Sequence, residues 1–202
     1  LNNASHEGTR RADGPTFAKV GCVETLEAAR DTDHWQSPLE KHGPNGKLRG
    51  RGIATGYWMN GGGKSTVDLT VNDDGIVAMT EGSADIGGTR ASIAMQAAEV
   101  LGIPAEDVRP SIPDTDSIGF TGVTGGSRTT FATGWAVHEA ALDMRRQLEE
   151  RAAKIWDVDA SEVSYQEGGA MIAGPADSGG EPRQFTLKEL ASRLQSTGGL
   201  IQ

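Results

Sequence analysis

From residue 50 onward the apolar positions of the chain follow two periods. Alternation at every second residue runs through 52–59, 66–71 and 76–83 and predicts three strands. The last two are joined across Asn72-Asp73-Asp74-Gly75, where Asp-Gly between alternating runs is a strong hairpin signal. The period then lengthens. Ile93, Ala97, Val100 and Leu101 share one face of a helix predicted over 90–101, with Gly102 as its stop. A short strand is expected over 108–113, followed by a glycine- and threonine-rich stretch over 114–126. The longest helix comes next, marked by Val137, Ala141, Met144, Leu148, Ala152 and Ile155. A strand pair is expected near 163–166 and 170–173. The last helix opens on a Thr186 to Glu189 capping box and a Phe185 to Leu190 staple, ahead of Leu187, Leu190, Ala191 and Leu194. The first 46 residues are polar, with one short helix over 23–30 and an exit at Gly43-Pro44-Asn45-Gly46. The order of elements predicts an α+β fold, a mostly antiparallel sheet covered by helices, with 1–49 as a connecting arm and 50–202 as the folded lobe.

Composition narrows the class. With 36% hydrophobic residues among 202, the chain fits one domain or two small ones. The 28 acidic against 19 basic residues give a net charge of -9, which repels nucleic acid and anionic lipid. Cys22 is the single cysteine, so an internal disulfide framework and a clustered thiolate site are excluded, and a reducing, cytoplasmic setting is expected. No run approaches the roughly 18 apolar residues of a membrane span, and residues 1–5 lack the charged and apolar regions of a signal peptide. The start at Leu1 and the finish at Gly198-Gly199-Leu200-Ile201-Gln202 are those expected of a piece of a longer polypeptide.

The 28 glycines gather in short groups. Two groups lead directly into helices: Gly87 and Gly88 with Thr89 and Arg90, and Gly125 and Gly126 with Ser127, Arg128, Thr129 and Thr130. A glycine turn before a helix lets backbone N–H groups converge on a ligand, the helix end adds partial positive charge, and the hydroxyls and guanidinium groups supply further donors. The bland alternative is helix capping, for which glycine, serine and threonine suffice. Gly61-Gly62-Gly63-Lys64-Ser65-Thr66 ends like a phosphate loop, but Trp58 stands where that signature needs glycine, and residues 66–71 alternate as a strand instead of opening a helix. His6, His34, His42 and His138 show no metal-ligand spacing, so no metal-binding residue is assigned. Asp114-Thr115-Asp116 lacks the later residues of a calcium loop and reads as an Asx turn. No catalytic triad can be singled out, because spatial neighbours are not read from these spacings.

Taken in order, Glu81-Gly82-Ser83-Ala84-Asp85-Ile86-Gly87, the helix through Gln96-Ala97-Ala98-Glu99-Val100-Leu101-Gly102-Ile103-Pro104, Asp114-Thr115-Asp116, and Thr124-Gly125-Gly126-Ser127-Arg128 followed by Gly134 and Ala136 form a series of landmarks. The series resembles the molybdopterin-binding large subunit of the xanthine dehydrogenase, aldehyde oxidase and carbon monoxide dehydrogenase family, most closely over 50–173. The resemblance implies one lobe of a molybdopterin-binding domain. It implies that Gly87, Gly88, Thr89 and Arg90, with Gly125, Gly126, Ser127, Arg128, Thr129 and Thr130, hold a molybdenum-bearing molybdopterin, with or without a cytosine dinucleotide. One departure is clear. The family often has Gly-Gln-Gly in the first turn, where this chain has Gly87-Gly88-Thr89, which leaves Arg90 and Gln96 as the candidates to take the glutamine's place.

The family oxidises small molecules such as aldehydes and N-heterocycles with oxygen from water, aided by a glutamate base near the family's C-terminus. No counterpart of that base, of the substrate-pocket loop, or of the iron-sulfur and flavin (FAD) domains is found here, so no catalytic residue is assigned. The resemblance therefore implies an oxidoreductase portion that is inactive alone, with the remaining half of the molybdopterin subunit and iron-sulfur and flavin subunits or domains as partners. The alternative is a non-catalytic structural or assembly module with the same fold. A nucleotide-binding protein using Gly63, Lys64 and Ser65 is a third, weaker rival.

Overall fold

In the computed structural model, residues 3–58, 61–166 and 171–201 are described, with the side chain of Met171 left aside. The chain divides into two compact units, Leu1–Tyr57 and Trp58–Gln202. The first holds α1 (Cys22–Arg30) and α2 (Asp33–Gln36), the latter capped by the Thr32 hydroxyl. Arg51 gathers this unit by donating to the carbonyls of Trp35 and Ser37, and the rings of Phe17 and Tyr57 meet edge to face at 6.4 Å. None of its described residues is buried, so polar bonds hold it where a hydrophobic core would otherwise do so.

The strand expected over 52–59 does not form. Residues 52–58 have no regular secondary structure or partner strand and are exposed, and Met59 lies outside the described residues. Alternation alone does not make a strand: its N–H and C=O groups need a neighbouring ladder.

The second unit carries the core. β1 (Val67–Val71) and β2 (Val77–Glu81) pair antiparallel, with Leu69 opposite Met79 and Val71 opposite Val77. Gly75 at φ +84 and the Asp74 carboxylate, which accepts from the Ile76 N–H at 3.0 Å, close the hairpin as its sequence predicts. α3 (Thr89–Leu101) carries the chain across to β3 (Val108–Ser111), which pairs parallel to β2 and so completes a three-stranded sheet in the order β1-β2-β3. Pro110 is tolerated there because β3 is an edge strand. α4 (Gly134–Trp156) buries Val137, Ala141, Met144, Leu148 and Ala152 as one stripe against β1 and α3. Small residues on α3, Ala94, Ala97 and Ala98, let the two helices approach closely.

A second sheet, β4 (Ser164–Gln166), β5 (Met171–Gly174) and β6 (Arg183–Thr186), is antiparallel throughout. Its register aligns Tyr165, Ile172 and Phe185 in one buried row. Ala170, expected in the strand pair, lies outside the described residues. β6 was not expected, since Arg183-Gln184-Phe185-Thr186 offers one apolar residue. α5 (Leu187–Ala191) starts on the predicted box, with the Thr186 hydroxyl accepting from the Glu189 N–H and the Glu189 carboxylate accepting from the Thr186 N–H. Three of the four strand pairings are antiparallel, and helices cover the sheets, as the α+β reading requires. Among the described residues no helix is long and apolar enough to cross a membrane.

Candidate functional site

The strand order brings three loops to one edge of the first sheet. Because β1 runs antiparallel to β2, with Val67 opposite Glu81, the segment entering β1 lies beside the one leaving β2. Because β3 runs parallel to β2, the segment leaving β3 lies there too. These segments are 61–66, 82–88 and 112–128, and the last two end in the two glycine turns. The crevice outside the carboxyl ends of neighbouring strands is a common ligand position in open sheets.

The first turn holds Gly87 at φ +64 and Gly88 at φ +80, conformations that glycine adopts without strain. Gly88 is the N-cap of α3, and a Cβ at Gly87 or Gly88 would meet no atom within 4 Å, so the backbone is open on that side. The helix end is not bare, however. The Asp85 carboxylate accepts from the Arg90 N–H at 3.1 Å and from the Thr89 hydroxyl at 3.5 Å, and it lies 3.8 Å from the Arg90 guanidinium. An acidic side chain of the protein itself thus already offsets the positive end of α3.

The second turn has Gly126 at φ +60 and Ser127 at φ +55, the latter a non-glycine residue in the left-handed region. It runs into one π-type turn, Thr129–Thr133, that opens α4. Gly125, Gly126, Ser127 and Thr130 are exposed, whereas Arg128 and Thr129 are buried. The Arg128 guanidinium turns inward and donates to the carbonyls of Gly62, Gly122 and Lys64 at 2.8–2.9 Å and to the Ser65 hydroxyl at 2.7 Å. Its charge builds the loop and does not face solvent. The Thr129 hydroxyl is buried without a hydrogen-bond partner.

The two turns are tied together behind their exposed backbones. Ser83 and Thr133 share a hydrogen bond at 2.9 Å, and the Gln96 amide donates to the Thr130 carbonyl at 3.2 Å. Gln96 also packs on Gly134, where a Cβ would collide with its side-chain amide. Of the two candidates for the missing glutamine's place, Gln96 is therefore committed to holding α3 against the second turn, and Arg90 faces Asp85.

Among the remaining candidates, Lys64 and Ser65 lead into β1 and not into a helix, unlike a phosphate loop. Asp114 accepts from the Asp116 N–H at 3.0 Å and from the Ser117 hydroxyl at 2.8 Å, the Asx turn that was expected, and these bonds hold its carboxylate below its ordinary pKa. His138 stacks on Trp135 at 5.3 Å. Among the described residues no cluster of three or more His, Cys, Asp or Glu is arranged to hold a metal ion. Glu81 and Ser83 entered the sequence reading only as part of a family landmark and Thr133 not at all, because nothing local marks the three as neighbours.

Residues 25–201 match the family profile described as the molybdopterin cofactor-binding domain. The chain belongs to that family. Probable hypoxanthine oxidase XdhD of Escherichia coli strain K12 is 28% identical over 199 residues, 96% of this chain and 20% of that protein. The nicotine 6-hydroxylase large subunit of Paenarthrobacter nicotinovorans is 29% identical over 114 residues, 56% of this chain and 14% of that one. Reconstituted CO dehydrogenase from Oligotropha carboxidovorans superposes with a TM-score of 0.55 at 26% identity, over 67% of this chain and 16% of that chain. Quinoline 2-oxidoreductase from Pseudomonas putida 86 shares the fold, with a TM-score of 0.53 at 18% identity over 67% of this chain and 17% of that one. This molybdopterin cofactor-binding domain thus spans a fifth or less of the length of these relatives.

Proposed function

We propose that this chain is the cofactor-cradling portion of a cytoplasmic molybdenum hydroxylase that oxidises an N-heterocycle or aldehyde with oxygen from water. Residues 50–202 form the cradle and 1–49 a connecting arm. The backbones of Gly87, Gly88, Gly125 and Gly126, with Thr89, Arg90, Ser127, Arg128, Thr129 and Thr130, are its contact region. The carrying observation is that two left-handed glycine turns leave one sheet edge inside the stretch that matches the family, with open space beside Gly87, Gly88 and Gly125.

The donor set suits a pterin. Left-handed residues in succession point N–H groups to one side, and the unpartnered, buried Thr129 hydroxyl adds polar capacity beside the second turn. Electrostatics divide the roles. Asp85 occupies the positive end of α3, so the first turn favours the neutral, donor-rich edge of the ligand, whereas the second turn is the better seat for phosphate. Arg128 contributes by shaping that turn through its four inward bonds. When bound, the molybdenum-pterin group supplies the two-electron redox chemistry, while these residues bind and orient it. The base, the substrate pocket, and the iron-sulfur and flavin groups belong to the remainder of the subunit or to partner subunits, and the chain is inactive without them. The N-heterocycle preference is supported by the names of two relatives, a nicotine hydroxylase and a probable hypoxanthine oxidase.

Replacing Gly88 and Ser127 together by valine in the complete enzyme is expected to lower molybdenum content about 10- to 100-fold. Unchanged molybdenum content and activity would overturn the site assignment. A structural module without cofactor is the second reading, favoured by Gly87-Gly88-Thr89 in place of Gly-Gln-Gly.

A further inference from the structure

A carboxyl group and a guanidinium are buried in the second unit without touching. Glu81 has no exposed surface and Arg128 is 5% exposed, and among the described residues neither enters an ion pair. One oxygen of Glu81 accepts from the Ser83 N–H at 2.6 Å, and the other has no hydrogen-bond partner. A desolvated charge left alone is costly, so what lies between the two matters.

A row of hydroxyls leads from Arg128 to Ser83, whose backbone N–H holds Glu81. Arg128 Nη2 donates to Ser65 Oγ at 2.7 Å, Ser65 Oγ lies 2.9 Å from Thr133 Oγ1, and Thr133 Oγ1 lies 2.9 Å from Ser83 Oγ. An arginine can only donate, whereas each hydroxyl both accepts and donates. If Ser65 donates to Thr133 and Thr133 to Ser83, the hydroxyl dipoles run in one direction from Arg128 to Ser83 and each bond polarises the next, while Glu81 joins the row through the Ser83 N–H. Each member also comes from a different part of the sheet edge. Ser65 enters β1, Ser83 leaves β2 toward the first glycine turn, Arg128 is in the second turn, and Thr133 closes the π-type turn behind it.

We propose that the row Arg128, Ser65, Thr133, Ser83 and Glu81 is a clamp that fixes the spacing of the two glycine turns, with Thr133 as the positioning residue at its centre. The inference rests on the cofactor reading above and adds to it Ser65, Thr133, Ser83 and Glu81, which lie outside the contact region. The clamp sets both turns in place before the ligand arrives, so binding need not order them.

The test is the rate at which molybdenum and pterin leave the complete enzyme, compared among wild type, Thr133→Val, Thr133→Ser and Ser65→Ala, with hydrogen exchange of 61–66, 82–90 and 125–133 followed in each. Valine keeps the volume of threonine and removes the hydroxyl; serine keeps the hydroxyl and removes the methyl. The clamp predicts about 10- to 100-fold faster cofactor loss and faster exchange in all three segments for Thr133→Val and Ser65→Ala, with Thr133→Ser close to wild type. The reverse order, serine worse than valine, would mean that Thr133 only fills space and would overturn the clamp, as would four indistinguishable proteins. A wild-type enzyme devoid of molybdenum and pterin would overturn the cofactor reading itself, and the positioning role with it.

Discussion

At the scale of the residue, Tyr165 shows how one side chain joins layers. Its hydroxyl donates to the Leu101 carbonyl at 2.6 Å, its ring lies 4.6 Å from the Arg145 guanidinium, and its N–H donates to Glu149 at 2.7 Å. Burial pushes its phenol up to about 12. The unfolded chain ionises near pH 10 and the folded one only near 12, so the folded state loses ground between those values and not below them. Chemical denaturation between pH 10 and about 12 is expected to show falling stability, and Tyr165→Phe should flatten that fall while costing about 1–3 kcal/mol at neutral pH. Residues whose role is local were legible in the sequence: Gly75, Gly102, Asp114 and Thr186 each act within a few positions of themselves. Arg128 and Thr133 were not. Their partners stand 63 and 68 positions away, and which way a guanidinium turns is decided by what the fold places beside it.

Among the elements, α4 organises the second unit. Its buried stripe faces β1 and α3, and its end is fixed where Arg183 donates to the Trp156 carbonyl at 2.7 Å and Trp156 stacks on Phe185 at 4.8 Å. Leu148 is fully buried in the middle of this stripe. Leu148→Ala should destabilise the unit by about 2–5 kcal/mol, measured by chemical denaturation, through lost transfer energy and the cavity left behind. α3, α5 and the β1–β2 hairpin were legible because each carries a period together with a start or stop signal, and α4 because its period is sustained over six apolar positions. The strand expected over 52–59 had the period without a partner, and β6 has a partner without the period. The π-type turn that precedes α4 has no sequence signature of its own. It lies where Gln96 packs on Gly134 and donates to the Thr130 carbonyl.

For the whole molecule, order in sequence becomes proximity at one sheet edge. Glycine turns separated by a helix and a strand are brought together because β2 and β3 are parallel neighbours, and this juxtaposition is what makes them a candidate site. The turns were legible as anion-binding candidates and the resemblance joined them into one site, but the sequence showed neither the Asp85 carboxylate over the first turn nor the buried row of hydroxyls behind both. With Arg90 beside Asp85 and Arg128 bonded inward, the proposed phosphate seat rests on the backbone N–H groups of the second turn and not on a free cation. The measurement that tests the account most directly is molybdenum and extractable pterin per mole of the complete enzyme, purified with its accompanying subunits. The account predicts close to one of each per copy of this domain. A folded, complete preparation with neither would contradict it and favour the structural module.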